Sequence, residues 1–240
     1  MDGNSRWAAA RSLPRRAGHA AGAAALVTAV STLAAWGVPA VTVFAWSAEN
    51  WGRGPPAAAS VLAVARRAAR AHAADLAAAG VRLAIVGDRA ALPASLNEAL
   101  DAAVATTAAA ATPPSMTLTV ALAYGGRDDV VAAAQALAAA AVRGEVDPSA
   151  INASSFSASL ALGAVLPPEL RSVDLLLRTS GERRLSNFVL WEAAYAELVF
   201  VPTLWPDVTP AVLAGALREY AARKRRFGGL GERATEGEGG

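Results

Sequence analysis

The stretch that decides the fold is residues 173–187, which read VDLLLRTSGERRLSN. Its first part, Val173 to Leu177, is apolar except for Asp174, which is typical of a short β-strand. The part that follows holds three arginines, two serines and one threonine. Because anions bind beyond the carboxyl ends of strands in parallel α/β sheets, this order predicts a strand that delivers an anion-binding loop.

The rest of the chain alternates between short β-branched runs and longer alanine-rich segments, which is typical of repeated βα units. We predict further strands at Ala40 to Ala45, Val81 to Val86 and Met116 to Ala123. We predict helices at His19 to Trp36, Ala57 to Ala79, Ala94 to Ala111, Asp129 to Val142 and Pro210 to about Arg226.

This alternation predicts one α/β domain over residues 1–229, with a mainly parallel central sheet flanked by helices. The active site is expected at the carboxyl ends of the strands. Residues 230–240 are rich in glycine and charge, and we expect a disordered tail there.

The composition excludes several classes of protein. The formal net charge is only +2, so the chain lacks the strong basic field of a dedicated nucleic-acid binder. The basic runs at 66–70 and 223–226 fit solvated helix faces better, since no aromatic residues are interleaved for base stacking. We therefore expect no nucleic-acid partner. With no cysteine, any metal must be held by oxygen or imidazole ligands.

One uncharged stretch, Ala20 to Trp46, is long enough to raise the question of a membrane span. Gly37-Val38-Pro39 divides it into a helix-like part and a β-like part, which favours a buried helix followed by a strand. The residues after Met1 do not resemble a signal peptide, because Asp2 and Asn4 stand where an apolar core should begin.

Every predicted strand is followed by residues that can bind an anion. The segments are WSAENWGR at 46–53, GDR at 87–89, YGGRD at 124–128 and the loop that begins at Arg178. Guanidinium groups, hydroxyls and free backbone N–H groups suit a diphosphate, and a carboxylate among them can hold a metal. Taken singly, Gly87-Asp88 and Gly125-Gly126 fit turns, and Asp128 fits an N-cap.

The residues resemble the cis-prenyltransferases, a family that includes undecaprenyl and dehydrodolichyl diphosphate synthases, over residues 1–229. The motifs that carry the resemblance are Met1 to Trp7, Gly18-His19, Ser47 to Trp51, Tyr124 to Arg127, Asp174 to Phe188, Trp191, Tyr195 to Leu198 and Leu204 to Asp207. The resemblance implies a Mg²⁺-dependent enzyme. It condenses isopentenyl diphosphate with an allylic diphosphate, such as farnesyl diphosphate, into a long-chain Z-polyprenyl diphosphate.

The resemblance also implies roles for individual residues. Asp2 would be a catalytic residue and a Mg²⁺ ligand, and Glu197 would help to position the metal or the partner's site across a homodimer interface. Asn50 would be catalytic, in a loop that positions substrate and assists proton removal. The implied substrate-binding residues are Gly3, Asn4, Arg6, Trp7, Arg15, His19, Ser47, Glu49, Trp51, Arg53, Arg178, Arg184, Ser186, Arg226 and Gly228.

Three positions depart from the family pattern. The family normally has a β-strand directly before the Asp2 motif, so we expect either a truncated start or an Asp2 that sits on a frayed terminus. Trp46 stands where the family usually has phenylalanine, and Ala123 where it has asparagine. A non-catalytic subunit of the same fold is the alternative function.

The expected location is the cytoplasm or the surface of a membrane, which the lipid product would contact. A plastid is the alternative if the N-terminus is truncated.

Overall fold

The computed structural model describes residues 1–110 and 113–223 and folds them into five β-strands and seven α-helices. In chain order the elements are α1 (Asn4–Ala9), α2 (Arg15–Ala35), β1 (Ala40–Ser47), α3 (Pro55–Ala78), β2 (Val81–Val86), α4 (Ala94–Ala110), β3 (Met116–Tyr124), α5 (Gly126–Val142), α6 (Ala153–Ser159), β4 (Leu175–Arg178), β5 (Glu197–Phe200) and α7 (Pro210–Ala221). The predicted tail and the residues Arg226 and Gly228 lie outside the described residues.

The strands form two parallel sheets. One has the order β1-β3-β2, and the other pairs β4 with β5. The prediction of an α/β fold with a parallel sheet flanked by helices is therefore confirmed, as are the four predicted strands to within a few residues. The sequence reasoning missed β5, α1 and α6, each of which is only four to seven residues long.

Large apolar side chains fill the space between the sheets and the helices. Helices α3 and α4 pack on Trp46 and Leu122 through Leu62, Leu96 and Leu100. A second cluster joins the two sheets, since residues of β3 and β4 share it with the buried leucines Leu162 and Leu166. The alanine-rich helices supply little of this bulk, so the core depends on these scattered large residues.

Helix α2 is the one described helix that is long and apolar enough to cross a membrane by length and composition. It packs against α1, α3 and α7, and 28% of its most apolar window is buried. Its outer positions Ala20, Ala24, Thr28 and Ser31 are exposed, so the predicted buried helix is only partly buried.

Two glycines of α2 determine how closely α1 approaches it. A Cβ atom on Gly18 would overlap the carbonyl oxygen of Asn4, and one on Gly22 would overlap the Asn4 side chain. Because only glycine leaves room for this contact, these positions fix the place of the Asp2 to Arg6 segment.

The start of the chain is well anchored. The backbone N–H of Asp2 donates to Thr179 Oγ1 at 3.2 Å, and the Thr179 hydroxyl donates back to the carbonyl oxygen of Asp2 at 3.1 Å. The backbone N–H of Trp205 donates to the same carbonyl at 2.9 Å. The expectation that Asp2 lies on a frayed terminus is therefore wrong.

Strands β1 and β4 each have one edge that pairs with no other described strand. Consecutive residues 40–47 and 172–178 line the same cavity, which has a volume of about 1280 Å³. Since alternate residues of a strand point to opposite faces, consecutive lining residues show that the cavity follows the strand edges. One end of the cavity lies at Asp2, beside the carboxyl end of β4.

We predict that about six apolar, β-forming residues fused ahead of Met1 pair with these two edges, because unpaired strand edges accept a further strand. We expect a rise in melting temperature of roughly 5 °C or more, which corresponds to about 2 kcal/mol for a domain of this size. Thermal melts of the two chains provide the measurement. An equal rise with a glycine-serine extension of the same length would show that strand pairing is not the cause.

Candidate active site

The mouth of the cavity lies where the loops after β1 and β4 meet the start of the chain. Most of the predicted site residues line it, namely Asp2, Gly3, Asn4, Arg6, His19, Ser47, Glu49, Asn50, Arg53, Arg178, Arg184 and Ser186. Of the other described candidates, Trp7, Arg15, Trp51 and Glu197 do not line it. The structure thus collects the greater part of the predicted set at one place.

Arg178 is the central cation of this mouth. Its guanidinium donates to Ser186 Oγ at 2.8 Å and to the carbonyl oxygen of Arg184, and it lies 3.4 Å from Asp2 Oδ2. Only 15% of its side chain is exposed, against 40% for Asp2. Arg178 therefore holds its own loop in shape while one side of its planar fork faces Asp2.

Asp2 lies between two guanidinium groups. Its Oδ1 accepts the backbone N–H of Gly3 at 2.7 Å and lies 3.5 Å from Arg6. Burial alone would raise the pKa of Asp2, but the Gly3 N–H and the charges of Arg178 and Arg6 bring that pKa below its ordinary value. Asp2 is thus a carboxylate, the form that binds a hard cation.

Glu182 is a second carboxylate at this mouth, and it was not among the predicted site residues. It lies 3.2 Å from Arg6 and 2.5 Å from Arg184. Arg6 also donates to the carbonyl oxygen of Ser180 at 3.1 Å. Three arginines therefore face two carboxylates here, which leaves an excess of positive charge that favours an anionic ligand.

A second basic region lies around His19. Its Nδ1 is 3.2 Å from Ser60 Oγ, and burial together with the charges of Arg15 and Arg53 lowers the pKa of the imidazole. Serine can donate or accept in this contact, and in the tautomer that carries its proton on Nε2 the imidazole donates from Nε2 to a phosphate oxygen. The mouth thus offers two places for a phosphate group, one at Arg178 and one at His19.

Two of the predicted tryptophans have other contacts. Trp7 Nε1 donates to Asp207 Oδ1 at 2.7 Å, and the Arg11 guanidinium lies 4.3 Å from the centre of the Trp7 ring. Trp51 packs edge-on against Trp46 at 5.6 Å. The structure therefore gives Trp7 a role in anchoring α1 and Trp51 a role in shaping the loop after β1.

Glu197 lies at the far end of its strand from Asp2. It pairs with Leu175 in the β4–β5 ladder, whereas Arg178 pairs with Phe200 three residues further along, a separation of about 10 Å. Its carboxylate accepts from Arg223 at 2.8 Å. Within one chain Glu197 does not share a metal site with Asp2, and its role at a partner's site stays a prediction.

The donor groups at the mouth fit Mg²⁺ held mainly by its substrate. In the described part of the chain no group of three or more His, Asp or Glu side chains is placed to hold a metal. Mg²⁺ is commonly bound by one or two carboxylates together with substrate phosphates, and the half-exposed carboxylate of Asp2 meets that requirement.

The fold and the site define a parallel α/β protein in which a basic rim opens into a deep apolar cavity, an arrangement that suits a ligand with an anionic group at one end and an apolar chain at the other. A family model described as putative undecaprenyl diphosphate synthase matches residues 1–228. Isoprenyl transferase 2 of Bradyrhizobium diazoefficiens is 43% identical over 96% of this chain and 88% of its own length. The farnesyl-diphosphate-specific ditrans,polycis-undecaprenyl-diphosphate synthase of Xanthomonas axonopodis is 39% identical over 98% of this chain and 90% of its own.

Among solved structures, lavandulyl diphosphate synthase from Lavandula x intermedia, in complex with dimethylallyl diphosphate, superimposes with a TM-score of 0.89. It is 31% identical in sequence, with 95% of each chain covered. The chain therefore belongs to the undecaprenyl diphosphate synthase family of cis-prenyltransferases. The predictions of family, fold class, enzyme class and polyprenyl diphosphate synthesis are confirmed.

We predict that Arg178→Ala and Arg184→Ala each raise the KM for isopentenyl diphosphate by roughly 10- to 100-fold, the loss of a charge-assisted contact worth about 1.5 to 3 kcal/mol. Arg178→Lys should restore only part of the affinity, because an ammonium cannot reproduce the planar fork. Steady-state kinetics measure the effect. Arg183→Ala is the matched control, since Arg183 is exposed in the same loop and does not line the cavity. Full recovery with lysine would show that a point charge is sufficient.

Proposed function

We propose that this enzyme condenses isopentenyl diphosphate with an allylic diphosphate, such as farnesyl diphosphate, and lengthens it into a long-chain Z-polyprenyl diphosphate. One observation carries the proposal: the rim of Asp2, Arg6 and Arg178 opens directly into an apolar cavity of about 1280 Å³. The name of the Xanthomonas relative supports farnesyl diphosphate as the primer.

The cavity suits a growing hydrocarbon chain. Below the rim its walls are apolar side chains of α2, of α3 and of the sheet, among them Val30, Leu33, Ala68, Leu83 and Leu118. Each buried CH₂ group contributes about 0.8 kcal/mol, so the whole chain is bound more strongly with every isoprene unit that is added. The alanines of α3 keep the space open because their side chains are short.

The two basic regions suit two diphosphates. Arg178, Arg184 and Ser186 would bind the diphosphate of isopentenyl diphosphate, and Arg15, His19 and Arg53 would contact the allylic diphosphate. As the allylic carbon–oxygen bond breaks, negative charge grows on the departing diphosphate. Guanidinium groups that are already held in place stabilise this charge without having to move during the reaction.

The bond-forming step follows from this arrangement. The double bond of isopentenyl diphosphate attacks the allylic carbon, a new carbon–carbon bond forms, and a proton leaves the isopentenyl unit. Apolar walls exclude water that would otherwise capture the cationic carbon. Asp2 would hold Mg²⁺, which when bound supplies positive charge to the departing diphosphate.

Turnover by the chain and by Asp2→Ala tests the proposal. With farnesyl diphosphate, labelled isopentenyl diphosphate and Mg²⁺, we expect label in products that are resolved as a series of longer chains. Asp2→Ala should reduce incorporation at least about 100-fold, a loss typical of removing one stabilising group at the reacting centre. Its circular dichroism should be unchanged, because Asp2 is anchored through its backbone.

The control is Glu98→Ala, which removes an exposed carboxylate on α4 that does not line the cavity. No product from the unaltered chain would refute the proposal and favour the non-catalytic subunit. Retained incorporation of label by Asp2→Ala would refute the role of Asp2 but not the proposed condensation.

We also propose that the enzyme acts as a homodimer, in the cytoplasm or against a membrane that receives its lipid product. Two large aromatic residues four positions apart, Trp191 and Tyr195, are 40% and 73% exposed, which is typical of a protein interface. Sedimentation velocity should give twice the chain mass. Trp191→Ala combined with Tyr195→Ala should shift the population toward monomer, and an unchanged dimer would place the interface elsewhere.

A further inference from the structure

Asn187 connects three loops that carry the site. Its Nδ2 donates to Glu49 Oε1 at 2.6 Å, in the loop after β1. Its Oδ1 accepts the backbone N–H of Arg127 at 2.8 Å, and its carbonyl oxygen accepts that of Gly126 at 2.7 Å. Both of these amides belong to the first turn of α5, which follows β3. Asn187 itself follows Ser186, in the loop after β4.

The two glycines after Tyr124 allow this connection. A Cβ atom on Gly125 would lie 2.9 Å from Asn187 Nδ2, and one on Gly126 would lie 3.1 Å from the Asn187 carbonyl oxygen. The first distance is shorter than real Cβ contacts and the second is tighter than most of them, so a side chain at either position would crowd Asn187. This contact accounts for a glycine pair that the sequence alone explains equally well as a turn.

The backbone of Asn187 is suited to the position. Its φ is +60°, in the left-handed region, where asparagine and aspartate are the most tolerated residues after glycine. The side-chain amide supplies a donor and an acceptor at once, and it uses them on Glu49 and Arg127 respectively. Neither an aspartate nor an alanine reproduces that combination.

Glu49 enters this arrangement as a carboxylate. Burial would raise its pKa, but the hydrogen bond from Asn187, hydrogen bonds with its own backbone and with Ser47, and the charge of Arg127 hold that pKa below the ordinary value. Glu49 directly precedes Asn50, and its side chain accepts a hydrogen bond from Asn187. A displacement of the loop after β4 would therefore also displace the segment that contains Ser47 and Asn50.

We propose that Asn187 is a positioning residue that fixes the loop of Ser47 and Asn50 relative to the diphosphate-binding loop of Arg178 and Ser186. This inference rests on the proposed condensation of two diphosphate substrates. Each loop binds through its own side chains, whereas the distance between the two substrates depends on the connection. Since small displacements of two reacting groups reduce rates strongly, breaking the connection should affect kcat more than KM.

Exchanging the amide of Asn187 and the carboxylate of Glu49 between the two positions tests this proposal. Asn187→Asp places two carboxylates against each other and should lower kcat at least about 10-fold, with the KM of either substrate changed less than about 3-fold. The double variant Asn187→Asp, Glu49→Gln restores one donor and one acceptor in reversed order. It should recover at least half of the lost kcat on a logarithmic scale.

Asn97→Asp is the matched control, since Asn97 bonds Arg89 through both side-chain atoms away from the cavity. It should lower the melting temperature without changing kcat. Asn187→Ala provides a second break if Asn187→Asp does not fold, and the same loss of kcat is expected. An unchanged kcat in the Asn187 variants, or a double variant no better than Asn187→Asp, would overturn the inference. Failure of the unaltered chain to form product would instead refute the proposed function.

Discussion

The site depends on a pair of hydrogen bonds between one buried hydroxyl and the backbone of one residue, Asp2. Thr179 is only 2% exposed, and its Oγ1 both accepts from the N–H of Asp2 and donates to the carbonyl oxygen of Asp2. These residues are 177 positions apart in the chain. Because Thr179 directly follows Arg178, the same two bonds place the carboxylate of Asp2 beside the arginine that orders the loop after β4.

The alanine-rich composition affects the two sides of this site differently. In α2 and α3 short side chains leave a wide apolar space beneath the rim, while bulk is provided by a few large residues such as Leu96 and Trp46. Where elements must touch, even alanine is too large, and glycine takes its place at Gly18, Gly22 and Gly126. Cavity and close contact thus come from the same preference for small residues, used at different positions.

The sequence predicted what depends on local pattern and did not predict what depends on distant partners. Strand β2 has the predicted bounds, Val81 to Val86, because a mainly apolar run between two glycines is a local pattern. Strand β5 is four residues long and pairs with β4, and so short a segment carries too little local pattern to be marked as a strand. The local sequence does not mark Glu182 as a site residue for a similar reason, since Glu182 reaches the site through its ion pair with Arg6, which is far away in the chain.

Glu197 shows how a role implied by a motif depends on the position of the residue along its strand. The resemblance implies that Glu197 helps to position the metal or the partner's site across a homodimer interface. The parallel register pairs it with Leu175, at the opposite end of the ladder from Arg178, so its role at a partner's site stays a prediction. Which end of a strand a residue occupies depends on where the strand begins, and local sequence indicates strand boundaries least precisely.

Backbone strain is concentrated at the same rim. Ser180, Ser186, Asn187 and Val189 all have positive φ, and for a β-branched residue such as Val189 that conformation is costly. Such strain persists only where the surroundings determine it. Val189 is 2% exposed, and the neighbouring Phe188 stacks on Phe44 at 4.6 Å.

The loop after β4 is consequently held from two sides, by buried apolar packing below and by polar contacts of Arg178 and Asn187 above. A loop constrained in this way presents its arginines to a diphosphate without first becoming ordered. The cost of ordering is met during folding, which leaves more of the binding energy for the reaction itself.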